Sequence, residues 1–547
     1  MALSVGAFEA VAAPLDSGAL MDTLQKPVEA APKAPPAINL APESDKKAPK
    51  RDQGVKVRVA SYTVSGNASV PQEQLLPLLD SFKGREITFD DLNTAARRLT
   101  DYYREQGYFL ATAYLPPQEL TPNAKGEVVI QIVVVEGRLG QIQVKGNERL
   151  SEERARAYVE ADVNRELAMQ AKGLERGLLL LDDLPGVTIQ STLKPGKTPG
   201  TSDLDVVLGS EPLFTGSIDL SNHGSEYTGD FRGGLTLNVN SPLRIGDQLT
   251  LRTLISEDDM WFGRVSYTVP VNTRGTRVGA HYSQLDYDLS GSLSAIGGDG
   301  SNYGLFASHP FVRSRVYNLY GQLTWDHKQS EQKVAGIRSN EYEPDVFAAA
   351  LTGDFRDGWN GGGLTAYELS FHLIDNDSFP TGYVGSGSDH AFRFLLSRLQ
   401  RLPGDFSLFV ATSGQLTGDD LISSEQFRLG GPTGVRAYPQ GEGTGDSGAV
   451  LSVDLRYDLD WLGERLGRSD LQAVLFGDVG TVHLNTPVAG VDTNRTLSGV
   501  GVGLNLFNVA NQFSVKWNAA LQLDAETITS ESRQGDGRTW IQAVKWF

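Results

Sequence analysis

Residues 213–547 are built from short runs of strict two-residue periodicity, and this narrows the possible folds more than any other feature of the chain. Leu235, Leu237 and Val239 alternate with Thr236, Asn238 and Asn240. Val265, Tyr267, Val269 and Val271 alternate with Ser266 and Thr268, and Leu451, Val453, Leu455 and Tyr457 with Ser452, Asp454, Arg456 and Asp458. Phe513, Val515, Trp517 and Ala519 alternate with Ser514, Lys516 and Asn518. Period two gives a strand one apolar and one polar face. Two all-β folds meet that demand, a soluble sandwich and a barrel closed in a membrane. The runs continue past the roughly 250–300 residues at which one soluble core stops growing, and their polar faces carry both signs of charge, as a wet bore would. The expectation is a transmembrane antiparallel barrel of sixteen strands, about 21 residues per strand and connection. No stretch of 18 apolar residues exists, so no transmembrane helix is available, and lipid tolerates no other unpaired backbone.

Composition removes several function classes. The formal charge is −18 at pH 7, which argues against nucleic-acid wrapping and predicts no nucleic-acid partner. There is no Cys, so disulfides, thiolate metal sites and a Cys nucleophile are excluded. The seven His show no metal-ligand spacing, and neither a Gly-x-Ser-x-Gly turn nor a Walker-type loop is present. Gly443-x-Gly445-x-x-Gly448 fits a dinucleotide pattern by letter but precedes a strand, so it reads as loop glycine. Asp182 with Asp183, and Glu257 with Asp258 and Asp259, read as solvated turn residues. No cofactor, no metal and no enzyme activity are expected.

Two other regimes precede the barrel. Residues 1–26 open with MALSVGAFEAVAA, which fits either the tail of a secretory signal without its basic region or an ordinary N-terminus. Asp16 can cap a short helix with Leu20, Met21 and Leu24 on one face, stopped by Pro27. Residues 27–54 hold repeated Pro with mixed charge and predict an extended, hydrated linker, spanning on the order of 80 Å. From 55 to 211 two β-α-α-β-β units are expected. In the first, Leu92, Ala95, Ala96, Leu99 and Tyr103 share a helix face, Thr88 and Asp91 form a capping box, Ile87 staples to Leu92, and Gly107 ends the helix.

The motifs carry a family resemblance. YYREQGYFLATAYLPPQ (102–118) with VVIQIVVVEGRLGQIQVKGNERL resembles a first polypeptide-transport-associated (POTRA) domain, placed at 55–137, and GLLLLDDLPGVTIQSTLKPGKTPGTSDLDVVL (177–208) a second, placed at 138–211. GGPTGVRAYPQGEGTGDSGAV (430–450) resembles the long sixth loop of outer-membrane protein transporters, its tip motif being Val435, Arg436, Ala437 and Tyr438. FGDVG matches the partner motif on the barrel wall, through Phe476, Asp478 and Gly480. Phe547 after Trp546 resembles the aromatic terminus by which barrels are recruited for assembly. The chain thus resembles two-partner secretion transporters of the outer membrane over nearly its whole length. One departure is Ala437, where the family has Gly. Ala takes positive φ only at a cost, so either that position has an ordinary φ or the tip is shaped differently.

The resemblance implies α+β periplasmic modules, a barrel at 212–547 with a lumenal loop around 428–448, and an N-terminal plug helix at Leu20, Met21 and Leu24. Independently, Arg436 lies in a glycine-rich loop that can fold into a narrow space, and Asp478 sits in an otherwise apolar run. A guanidinium in a half-dry lumen needs a carboxylate; from these residues alone a surface Arg in an ordinary hairpin and an Asp at a strand end stay open, and with the resemblance the two are expected to pair and lock the loop to the wall. The implied function is a pore that passes a large unfolded partner protein (adhesin, haemolysin or contact-dependent toxin) to the cell surface without nucleotide hydrolysis. Its implied partners are that protein, with an N-terminal secretion domain, outer-membrane lipid and the barrel assembly machinery. A barrel-assembly insertase is the alternative. A diffusion porin is a third reading, which leaves residues 55–210 without a use.

Overall fold

The computed structural model describes residues 17–25, 36–39, 56–146, 149–376, 387–465, 469–487, 492–524 and 526–547. The N-terminal leader pattern, the Asp16 cap and most of the Pro-rich linker lie outside the described residues. Two compact units are present. One is formed by residues 34–211 with 243–246, the other by 1–33 with 212–242 and 247–547.

The first unit holds two four-stranded sheets. In one the order is Glu86–Ile87, Val57–Ser65, Glu127–Val135, Thr112–Tyr114. Its main helix, Phe89–Glu105, begins in a complete capping box: Thr88 accepts from the Asp91 N–H, and Asp91 accepts from the Thr88 N–H. Those bonds to Thr88 hold the Asp91 carboxyl below its ordinary range. Leu92, Ala95, Ala96, Leu99 and Tyr103 are buried, and Gly107 follows at φ 89°, the left-handed exit expected of it. The second sheet runs Ala37–Asn39, Val187–Pro195, Thr201–Ser210, Arg138–Lys145, covered by helices Glu152–Glu160 and Ala171–Asp182.

Two expectations need correction here. Ala37–Asn39, inside the stretch expected to be solvated, pairs in parallel with Gln190–Thr192, and Ile38 enters the apolar core. One β-branched residue in an extended Pro-rich segment suffices when a sheet edge is open beside it. Asp182 is not a solvated turn residue. It is buried at the end of its helix, where its carboxylate accepts the Ile189 N–H at 3.1 Å.

The second unit is a closed antiparallel barrel in which every strand pairs with its neighbours in sequence and the last, Gly537–Trp546, pairs with the first, Phe214–Ser221. There are sixteen crossing strands; one is broken at Glu343 into Ile337–Tyr342 and Pro344–Asp357, both paired to Tyr317–Val334. The first strand shows the inversion that places the barrel in lipid. Ser217, Asp219 and Ser221 are buried inward, whereas Ile218 and Leu220 are exposed outward. Leu323 and Leu475 are likewise about 60% exposed, at 63% and 59%. A water-facing surface would not hold such a band of apolar residues, but hydrocarbon does. Among the described residues no helix is long and apolar enough to cross a membrane.

Candidate functional site in the barrel lumen

The chain between strands Phe406–Leu416 and Ser447–Asp458 turns back into the barrel. It closes on itself through a short ladder, Phe427–Arg428 against Thr444–Gly445, extended by Leu429 N–H to Gly443 O (2.9 Å) and Gly430 N–H to Glu442 O (2.8 Å). The Val435 N–H then donates back to Leu429 O at 2.7 Å, which makes the tip a tight knot. Gly434 permits it: a Cβ there would stand 1.9 Å from the Leu429 carbonyl oxygen. Leu429, Val435, Ala437 and Tyr438 are buried together with Val450, Val474, Phe476 and Leu497 of the wall.

At the tip, Arg436 and Asp478 meet. Arg436 Nε and Nη2 donate to the two oxygens of Asp478 at 2.8 and 2.7 Å, and the Arg436 N–H donates to the same carboxylate at 3.1 Å. Both residues are buried, at 8% and 4% exposure, so this is not a screened surface pair. Strand Asp470–His483 sets the geometry: Phe476, Asp478 and Gly480 fall two apart and share its inward face. The Phe476 ring lies under the guanidinium, 3.5 Å from Cζ to centroid. Gly480 leaves room for the loop, since a Cβ there would come within 2.9 Å of the Leu429 side chain. Ala437 has an ordinary φ, which decides between the alternatives its departure from Gly left open.

Several partners were not legible in the sequence. Asp454 gives Arg436 a second carboxylate at 2.8 Å and also accepts from Arg456 at 3.0 Å. The Trp540 indole donates to the Arg436 carbonyl at 2.7 Å. Glu442, fully buried, accepts from the N–H groups and hydroxyls of Thr529 and Ser530 and pairs with Arg495, tying the loop to the connection before the last strand. Burial works against the charged Glu442 carboxylate, but Arg495 and these donors outweigh it and hold its pKa below the ordinary value. Asp454 follows the same alternation as every other bore-facing polar residue, so no local signal singled it out.

Helix Ser17–Gln25 lies against the inner wall. Leu20, Met21 and Leu24 are buried with Leu254, Phe262, Leu285 and Tyr287. The Ser17 and Ser330 hydroxyls are 2.5 Å apart, and the Ser283 hydroxyl faces Met21 Sδ at 3.8 Å. Gly18 allows close approach: a Cβ would meet the Tyr342 hydroxyl at 2.5 Å and Ser424 Cβ at 2.8 Å. Ser424 belongs to the same loop as Arg436. Its neighbour Glu425 pairs with Lys328 and with Arg393 (2.9 Å) on the wall. Phe547 continues the pairing of the last strand with the first, its N–H and C=O bonded to Gly216 at 3.0 and 2.9 Å. Among the described residues no cluster of His, Asp and Glu is arranged to hold a metal ion.

A family model for the haemolysin secretion/activation proteins ShlB, FhaC and HecB matches residues 200–506, more than half of the chain. The chain belongs to that family. Its ShlB-type POTRA domain matches residues 57–137. Relatives of this ShlB-type protein include the heme/hemopexin transporter protein HuxB of Haemophilus influenzae, 25% identical over 514 residues, covering 90% of this chain and 88% of HuxB. The outer membrane transporter CdiB of Escherichia coli is 24% identical over 470 residues, covering 80% of this chain and 75% of CdiB. The fold matches the solved CdiB from Escherichia coli at a TM-score of 0.71 and 20% identity, over 92% of both chains. BamA from Haemophilus ducreyi shares the barrel fold less closely, with a TM-score of 0.52 and 14% identity over 90% of this chain. This ShlB-type transporter therefore resides in the outer membrane, with its POTRA modules in the periplasm.

Proposed function

We propose that the protein secretes one large partner protein through its barrel, and that the helix Ser17–Gln25 and the Arg436 loop together close the bore at rest. The observation that carries this reading is the double occupation of the lumen. The helix is seated on one side by Leu20, Met21 and Leu24, and the loop tip is bound to Asp478 and Asp454 on the other. A pore wide enough for polypeptide would leak without such closure. The tether on which the helix would leave without unfolding either unit is the stretch of about 11 residues between it and the strand Ala37–Asn39, roughly 34 Å if extended.

The partner enters as an extended chain with an N-terminal secretion domain. Strand edges in the periplasmic modules suit it: among the described residues Glu86–Ile87 pairs with Val57 and Arg58 alone, so Ser61–Ser65 have no strand partner on that side. Main-chain bonding there tolerates many sequences, which fits a substrate that slides. The sequence carries no nucleotide-binding motif, so the bias comes from folding of the partner outside. Phe547 serves recruitment by the barrel assembly machinery, and the apolar outer band faces outer-membrane lipid. No enzymatic step is part of this reading.

The test is secretion in cells carrying Arg436→Ala. Release of the partner is expected to fall at least roughly tenfold while the barrel still assembles, because removal of one member of a buried pair strands the other. Undiminished secretion from assembled barrels would remove the lock from the mechanism. Porin activity without any partner-dependent release would remove the function itself.

A further inference from the structure

Charge alone does not seat the loop tip. Directly behind the Arg436–Asp478 pair, the methyl of Ala437 rests on Gly499, in the inward face of strand Asn494–Asn508. A Cβ built on Gly499 would stand 2.5 Å from the Cβ of Ala437. Neither atom can swing away, because an alanine methyl has no rotamer and both are fixed to backbone. Two positions on, Gly501 receives the Phe476 ring, whose atoms would lie 2.4 and 2.8 Å from a Cβ there, and that ring is the floor beneath the guanidinium. On the opposite side the buried Trp540 indole holds the Arg436 carbonyl. The tip is thus gripped by shape across strands Asp470–His483, Asn494–Asn508 and Gly537–Trp546.

We propose that the Ala437–Gly499 contact, backed by Trp540, is a steric seat that decides docking of the loop independently of the ion pair, and that Gly499 and Trp540 are its positioning residues. The two parts respond to different things. The ion pair tolerates tenths of an ångström, whereas a methyl in a glycine hollow does not, since close-packed interiors resist any added volume. A slight shift of strand Asn494–Asn508 therefore unseats the tip while the charges are still in reach. The proposal deepens the lid reading above and rests on it for its consequence in transport, but docking itself is measured without reference to transport.

The chain has no Cys, so a spin-label pair at Thr433→Cys and Thr496→Cys, both exposed, reports the distance from loop to wall in the full-length protein. The unmodified background is expected to give one narrow distance. Gly499→Ala is expected to raise the undocked population roughly tenfold or more, and Ala437→Gly combined with Gly499→Ala to restore the narrow distance. Ala437→Val is the second variant, which overfills the seat from the loop side and leaves the wall untouched. Unchanged distances in Gly499→Ala and Ala437→Val would overturn the seat, as would failure of Ala437→Gly to rescue. Lost docking with an unchanged, closed conductance would uphold the seat and overturn the lid.

Discussion

At the residue scale, the lumen shows what a buried guanidinium needs. Arg436 has three bonds to Asp478 and one to Asp454, and its carbonyl is satisfied by Trp540. Such a pair adds little net stability against its desolvation, but it fixes one arrangement, because any other leaves charge unpaired. Glu442 works the same way on the loop's other flank, and it titrates. Its native pKa is held down, so its contribution is complete above the ordinary carboxylate range of about 4–5 and is lost as pH falls through the lowered native value. Protease cutting of the connection 526–536 is therefore expected to be pH-independent from about 8 to 5 and to rise in acid below about 4. In Glu442→Gln that acid-dependent rise should be missing, cutting being fast at every pH. A parallel pH profile in the two proteins would show that Glu442 is not the tie. The pair Arg436–Asp478 was readable in sequence mainly through the family resemblance of its two motifs, to which an Asp in an otherwise apolar run and an Arg in a glycine-rich loop added support. Asp454, Gly499 and Trp540 broke no local pattern, since a polar residue, a glycine and an aromatic residue all belong in a barrel wall.

At the element scale, the N-terminal helix spans nine residues, too short to be stable alone in water. Its structure is imposed by the wall it lies on. Each fully buried apolar side chain contributes about 1.5–3 kcal/mol, so Leu20, Met21 and Leu24 supply most of what holds it. Leu20→Asp or Leu24→Asp is expected to raise single-channel conductance in planar bilayers to the level of a protein lacking residues 1–26. If the substituted protein stayed as closed as the parent, the helix would not be a plug. The helix and its apolar face were legible as local pattern, and Pro27, expected to stop it, lies outside the described residues. The strand Ala37–Asn39 was not, because nothing in Pro36-Ala37-Ile38-Asn39 distinguishes a sheet edge from a linker until the partner strand Val187–Pro195 is placed beside it.

For the whole molecule, the barrel is closed by its least extensive ladder. The first and last strands share five register pairs, Ser217–Ser221 with Gln542–Trp546, whereas Tyr317–Val334 shares seventeen with Ile296–Arg313. The closure is reinforced at both ends. Phe547 bonds to Gly216, and Asn222 extends the ladder with its side chain, accepting from the Ile541 N–H at 2.7 Å and donating to Thr539 O at 2.8 Å. Beyond the strands, Arg533 binds Asp230 through two bonds of 2.7 Å, and Glu226 accepts from the Ser532 and Arg533 N–H groups at 2.8 and 3.0 Å. If the partner passes through the bore, this seam need not open. Ser221 and Gln542 face each other inward, in a pair that the alternation places among the close, non-hydrogen-bonded ones, where Cα atoms lie about 4.5 Å apart. Ser221→Cys with Gln542→Cys can therefore form a disulfide in a chain otherwise free of Cys. Secretion should be within about twofold of the reduced protein once that disulfide forms. Its abolition on oxidation, with recovery on reduction, would put the route at the seam.

The sequence by itself determined the apolar and polar faces of the alternating runs, the capped helix from Thr88, and that the second part, if it crosses lipid, must close on itself. These follow from local periodicity and from the rule that lipid leaves no backbone group unpaired. Only the tertiary structure decided which polar residues of the bore meet, that Gly499 lies under Ala437, and that Ala37–Asn39 is a strand. In a closed barrel every inward position obeys the same alternation. Partners across the lumen are chosen by strand register and by the path of one long loop, and neither leaves a mark on neighbouring residues.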